Sequence, residues 1–146
     1  MNIKKLTPTD IQLFEEQVLL FGKVFEMNDF QILSTPHLQG LLQQDNFMAF
    51  VALREGRVIG GLTAYVLHQY YAEKPLAYLY DLAVNTEDQG KGIGSELVKA
   101  LCNYCQKQGF EEVFVQADRD EPQNLDFYRK AQPTGEEDVI HFTYGL

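Results

Sequence analysis

Apolar side chains recur every three or four positions at Phe14, Val18, Phe21 and Phe25, which gives a helix one face to bury. Thr7-Pro8-Thr9-Asp10 ahead of them reads as its start, with Thr7 as cap, Pro8 at the first helical position and Asp10 near the positive helix end. The spacing thus predicts a helix from Thr7 to about Phe25, and Thr35-Pro36 with Leu38, Leu41 and Leu42 predicts a shorter second one. From Asn46 the pattern changes. Phe47 to Leu53 and Val58 to Leu67 read as two strands joined by a tight turn at Arg54-Glu55-Gly56-Arg57. Leu76 to Val84 is almost wholly apolar or aromatic, as a central strand covered on both faces requires, and only Asp81 interrupts it. A helix follows, with Ile93, Leu97, Val98, Leu101, Tyr104 and Cys105 on one side and Gly109 as its stop. Phe110 to Ala117 reads as a strand, Asn124 to Ala131 as a short helix, and Val139 to Tyr144 as a last strand after the break at Pro133-Thr134-Gly135. This order predicts one α+β domain, residues 1–146, built around a mixed sheet.

Composition narrows the function without naming it. The chain has 146 residues, of which 45% are hydrophobic, enough for the core of one ordinary domain. No apolar run is long enough to span a bilayer and Met1 to Lys5 lacks the apolar stretch of a secretory signal, so a cytoplasmic protein without a membrane partner is expected. A net charge of -9 and no basic patch argue against a nucleic-acid partner. Acidity favours a cationic ligand, although solubility alone explains acidity in many proteins. Cys102 and Cys105 have C-x-x-C spacing, but they fall inside an amphipathic helix with no second ligand pair and read as buried thiols. His37, His68 and His141 have no metal-ligand spacing, and no metal is expected.

The polar loop between the third strand and the next helix carries Gly90, Gly92 and Gly94. N–H groups in the first turn of a helix lack intrahelical partners, and glycines let a phosphate approach the chain, so this arrangement makes an anion site. A glycine-rich turn that merely joins strand to helix has the same spacing. An ATP-binding loop is excluded because no Lys-Ser or Lys-Thr follows a G-x-x-x-x-G, and the unit is too late and isolated for a two-half dinucleotide fold.

Gln89-Gly90-Lys91-Gly92-Ile93-Gly94 resembles the cofactor motif of the GCN5-related N-acetyltransferases: Gln or Arg, two residues, Gly, one residue, then Gly or Ala. The leading helices, the hairpin, the strand before the loop and the late helix with Phe127-Tyr128-Arg129-Lys130 follow that family's order, which implies a mostly antiparallel central sheet flanked by helices. The resemblance implies acetyl-CoA as donor and coenzyme A as product. The backbone of Leu82, Ala83 and Val84 would hold the acetyl carbonyl and pantetheine arm at an open strand edge, and Gln89, Gly90, Lys91, Gly92, Ile93 and Gly94, with Ser95, would hold the pyrophosphate. Tyr128 matches the family's tyrosine that protonates the leaving thiolate; on residue type alone it is a half-buried aromatic of an amphipathic helix.

Within the family, Leu62 to Leu67, Tyr78 to Val84 and Val115 to Asp118 are most similar to the type I aminoglycoside 3-N-acetyltransferases, which implies a polycationic aminoglycoside acceptor. An ammonium is no nucleophile, and a carboxylate beside it, here Asp81, can take its proton directly or through water. The competing reading of Asp81 is a structural carboxylate paired with an arginine. Asp118, Asp120 and Glu121 crowd the end of the following strand and would bind further amino groups beside Tyr80, although an acidic loop is often only solvated. Glu26 and Asp29 are weaker candidates of that kind. The pattern departs from the family where Lys130 is followed by Ala131-Gln132-Pro133 instead of a Gly-Phe turn, and where Glu121 stands for a frequent asparagine. Other acceptors (a polyamine, a protein amine or another small amine) and a non-catalytic acyl-CoA-binding regulator remain as alternatives, and a homodimer is implied by likeness alone.

Overall fold

The computed structural model describes all residues 1–146. In chain order the elements are β1 (Asn2–Lys5), α1 (Ile11–Val24), α2 (Thr35–Leu42), β2 (Phe47–Arg54), β3 (Arg57–Leu67), β4 (Leu76–Val84), α3 (Ile93–Lys107), β5 (Glu112–Val115) and α4 (Pro122–Lys130). Residues 1–116 form one unit and residues 117–146 a second.

The first unit is an open five-stranded sheet in the order β1-β2-β3-β4-β5, antiparallel except for the parallel β4–β5 pair. Its two faces bury separate cores. Against one lies α3, whose Ile93, Leu97, Leu101 and Cys105 pack on Phe50, Leu62, Ala77 and Leu79. Burial of Leu97 and Leu101, both inaccessible, contributes about 1.5–3 kcal/mol each. Against the other lie α1 and α2, where Phe14, Leu38 and Leu42 meet Phe47, Ala49 and Val51. The fold is thus α+β, as the order of elements predicts.

Four elements differ most from the sequence expectation, each for a local reason. The first helix begins at Ile11, not Thr7, because the Asp10 carboxylate turns back: Thr7 N–H (2.8 Å), Thr7 Oγ1 (2.9 Å) and Lys4 Nζ (2.7 Å) all donate to it, fixing residues 7–10 as a turn. The short edge strand β1 has too few apolar residues to be seen as a run, and it pairs through backbone with Leu53 to Phe50. The strand expected over Phe110 to Ala117 shrinks to Glu112–Val115, since its ladder with β4 ends at Leu79↔Val115, where β4 bulges. No strand forms over Val139 to Tyr144: Val139, Ile140, Phe142 and Tyr144 are exposed, and β-propensity yields a strand only where a ladder partner exists.

In the second unit, α4 starts at Pro122 instead of the expected Asn124, because proline is favoured in the first turn, and ends at Lys130, one residue before the expected Ala131. Arg129 makes a two-pronged ion pair to Glu136 (2.9 and 3.0 Å), and Arg119 pairs with Asp138.

Candidate active site

The loop after β4 is built mainly from backbone. Asn85 N–H bonds to the Ile59 carbonyl (2.8 Å), a single 3-10 turn follows at Thr86–Asp88, and the Gln89 amide returns to donate to the Val84 carbonyl (3.0 Å). Gly90 and Gly92 both have positive φ (77° and 84°), and a Cβ at either would meet nothing within 4 Å. That leaves open space with no side chain beside either glycine, followed at once by the fifteen residues of α3. No side chain caps that helix, so its first N–H groups, near Ile93, Gly94 and Ser95, face outward with the positive end of the helix dipole. These residues fit a phosphate of a coenzyme A donor. Lys91 is not free to wander: its Nζ lies 3.2 Å from Asp88.

The acidic end of β4 is shaped by one irregularity. Leu79 pairs with Ala64 and Asp81 with Thr63, which leaves Tyr80 as an extra residue opposite the break between Thr63 and Ala64. A one-residue insertion reverses the alternation of faces. Ala77 and Leu79 before the bulge, and Leu82 and Val84 after it, therefore all belong to the α3-side core. Tyr78, Tyr80 and Asp81 are left on the opposite face, where Tyr80 sits edge-on to Tyr65 (5.6 Å) and to Tyr78 (5.8 Å), and Tyr78 stacks on Phe114 of β5 (4.7 Å, 9°). Tyr80 is 57% exposed, so the strand is not covered on both faces as its apolar sequence suggests. Beyond Leu79 no β5 residue pairs with β4, and Leu82, Ala83 and Val84 present an open edge on that side.

Asp81 is half-buried in this aromatic setting and makes no ion pair, which removes the reading of a structural carboxylate held by an arginine. Burial alone pushes its carboxyl above the ordinary aspartate value. Burial, then the charges at Tyr80 and Asp81, push the Tyr65 and Tyr78 hydroxyls up as well. A half-buried carboxylate without a cation, close enough to Tyr65 and Tyr78 for its charge to act on them, is suited to a cationic guest that supplies the missing charge.

Of the other predicted residues, Asp118, Asp120, Glu121 and Tyr128 lie in the second unit. Asp118 accepts from the Asp120 N–H (2.9 Å) and its carbonyl takes the Glu121 N–H (3.1 Å), so these exposed residues form a turn ahead of α4. Tyr128 is half-buried on α4, edge-on to Phe127 (4.9 Å). Glu26 and Asp29 are exposed in the loop after α1, both with positive φ. Of the cysteines, Cys105 is buried and its thiol is raised to about 11, first by burial and then by Cys102; Cys102 is exposed, contrary to expectation, because i and i+3 here straddle the edge of the apolar stripe.

Sequence reading missed Arg54, Asp88 and the aromatic neighbours Tyr65 and Tyr78. Asp88 is the one buried carboxylate, yet an acid in the polar run Asn85 to Lys91 carries no signal of burial. Tyr65 and Tyr78 fall in segments that carry the family resemblance, but nothing in the sequence brings them to Asp81.

The sequence pattern of the acetyltransferase (GNAT) family matches residues 12–132. Among solved structures, an aminoglycoside acetyltransferase from an uncultured soil metagenomic sample, in complex with trehalose, superposes with a TM-score of 0.97 at 53% identity over 99% of this chain and 95% of that one. The corresponding structure in complex with sisomicin gives 0.97 at 52% identity over the same shares. A second aminoglycoside acetyltransferase, also from an uncultured soil metagenomic sample, gives 0.92 at 29% identity over 99% and 97%. No curated protein matches the chain.

Proposed function

The chain belongs to the acetyltransferase (GNAT) family, and from that premise we propose that it transfers an acetyl group from acetyl-CoA to the 3-amino group of an aminoglycoside. The observation that carries the choice of acceptor is Asp81, a half-buried carboxylate with no cation of its own, on the face that carries the exposed Tyr80 and the half-buried Tyr65 and Tyr78. The 53%-identical relative is an aminoglycoside acetyltransferase and the 52%-identical structure is a complex with sisomicin, which supports the same class of acceptor. The 3-amino position rests on the resemblance of the segments 62–67, 78–84 and 115–118.

The donor supplies an activated carbonyl, a thioester that a neutral amine attacks without further activation. In this reading Asp81 orients the substrate ammonium and takes its proton, directly or through water, with Tyr80 against the cation's apolar surroundings. The free edge at Leu82, Ala83 and Val84 holds the acetyl carbonyl and pantetheine arm by backbone hydrogen bonds. The N–H groups from Gln89 to Gly94, with Ser95, hold the pyrophosphate. A C–N bond forms as the C–S bond breaks, and Tyr128 delivers a proton to the departing sulfur. Asp118, Asp120 and Glu121 attract the remaining amino groups. The match over residues 12–132 runs through both units and supports their acting as one N-acetyltransferase domain, and a homodimer is part of the proposal.

The test is thiol release from acetyl-CoA with sisomicin, a kanamycin-class aminoglycoside and a polyamine as acceptors, followed by NMR assignment of the acetylated nitrogen. Turnover with the aminoglycosides and acetylation at the 3-amino group are expected. Turnover with the polyamine alone would replace the acceptor, and coenzyme A binding without turnover on any amine would make the protein a regulator.

A further inference from the structure

We infer that Asp88 is a positioning residue for the donor: it clamps the glycine loop from beneath by holding Arg54 at the end of β2 and Lys91 within the loop, and so sets the loop in its phosphate-accepting form. The inference rests on the reading of that loop as the pyrophosphate site. A carboxylate directly under an anion site is unfavourable by itself, since it repels the ligand. Here it is buried, and it is enclosed by two cations, Arg54 at 2.5 Å and Lys91 at 3.2 Å, with the Asn85 amide at 3.5 Å. The three charged groups sum to one positive charge, so the cluster still favours a phosphate. Hydrogen bonds and charge from Arg54, followed by Lys91, hold the Asp88 carboxyl below the ordinary aspartate value despite its burial, and it stays ionised at neutral pH.

The connections explain why a clamp is needed. Gly90 and Gly92 make the loop open, but residues without a Cβ also have more backbone conformations to choose from than any other. Two ties restrain it. Gln89 closes the loop on Val84, the last residue of β4. Asp88 joins it to Arg54, which sits at the β2–β3 turn and so belongs to the rigid hairpin. Lys91, although its side chain is largely exposed, has its ammonium held 3.2 Å from Asp88, next to the two glycines. Orientation of this kind acts on binding of the pyrophosphate and not on the acyl-transfer step, because it is realised equally in ground and transition states.

The experiment compares two donors, acetyl-CoA and S-acetylpantetheine, which carries the same thioester and arm without the pyrophosphate. The wild-type protein is expected to prefer acetyl-CoA in kcat/KM. In Asp88→Asn that preference should fall about tenfold, the scale of one charge-assisted contact, through KM for acetyl-CoA with kcat at saturation nearly unchanged. Arg54→Met removes the same tie from an exposed strand end and should reproduce the effect if Asp88→Asn folds poorly, whereas Arg54→Lys, which keeps the charge, should recover part of the preference. A wild-type preference that survives both Asp88→Asn and Arg54→Met, or an equal loss with both donors, would overturn the clamp. A wild-type protein that uses both donors alike would instead overturn the loop reading itself.

Discussion

Asp81 and Asp88 stand seven residues apart on one strand and the loop that follows it, and their surroundings are opposite. Asp88 is buried with two cations and an amide around it, and its carboxyl titrates below the ordinary range. Asp81 is half-buried with no cation, and its carboxyl titrates above that range. A carboxylate whose partners come from its own chain is doing structural work. One left without a counter-charge in a low-dielectric place costs stability unless a ligand supplies that charge. In the proposed site the cofactor end is thus built to be complete before the ligand arrives, and the acceptor end to be completed by it.

The comparison breaks most readily at Asp81. Asp81→Asn should lower kcat about 10³-fold, within the range for loss of a positioned base, while coenzyme A affinity measured by calorimetry stays the same. Tyr128→Phe should cost about 10²-fold in kcat, with thiol release slowed and acceptor KM little changed. Gly92→Val, which puts a β-branched residue at φ 84°, should raise KM for acetyl-CoA about tenfold or more by straining the loop, with no change in acceptor KM.

Stability should separate the two aspartates by sign. The raised value of Asp81 means that its favourable contribution to folding is present below the unfolded value of about 3.8 and is lost as pH rises through the folded value. Asp81→Asn should therefore raise the melting temperature at neutral pH. The lowered value of Asp88 gives the reverse: its contribution is present above the unfolded value and lost as pH falls through the folded one, so Asp88→Asn should melt earlier at neutral pH. Melting curves that move both variants the same way would erase the distinction. The same raised value sets the acid limb of the kcat/KM profile above the range of an ordinary aspartate. The smallest effect belongs to Tyr80→Ala, an about threefold rise in acceptor KM, as loss of one exposed cation–π face predicts.

Much of this was legible in the chain. Leu76 to Val84 is legible at its observed limits, because a continuous apolar run is a strong local signal, whereas a Thr-Pro start marks the second helix to within a residue, with Ser34 as its cap, and misplaces the first. The glycine loop and Asp81 stood out for the same kind of reason: glycines of fixed spacing before a helix, and one charge in an apolar strand. What stayed hidden depends on pairing. The bulge at Tyr80 arises from register between β3 and β4, and no residue in either strand announces it, yet it alone puts Tyr80 and Asp81 on one face. Arg54 and Asp88 meet across 34 positions of sequence, and each looks like an ordinary surface charge until the hairpin is folded. Val139 to Tyr144 has the composition of a strand but no ladder, which pattern cannot foresee.

Thiol release from acetyl-CoA with sisomicin, run at neutral pH on the wild-type protein and on Asp81→Asn with coenzyme A affinity measured alongside, tests the role of the unpaired aspartate most directly. Rapid turnover by the wild type, near-complete loss in the variant and equal coenzyme A affinity in both are predicted. Full turnover by Asp81→Asn would contradict the account, because the acceptor amine would then be deprotonated without the carboxylate that β4 leaves open for it.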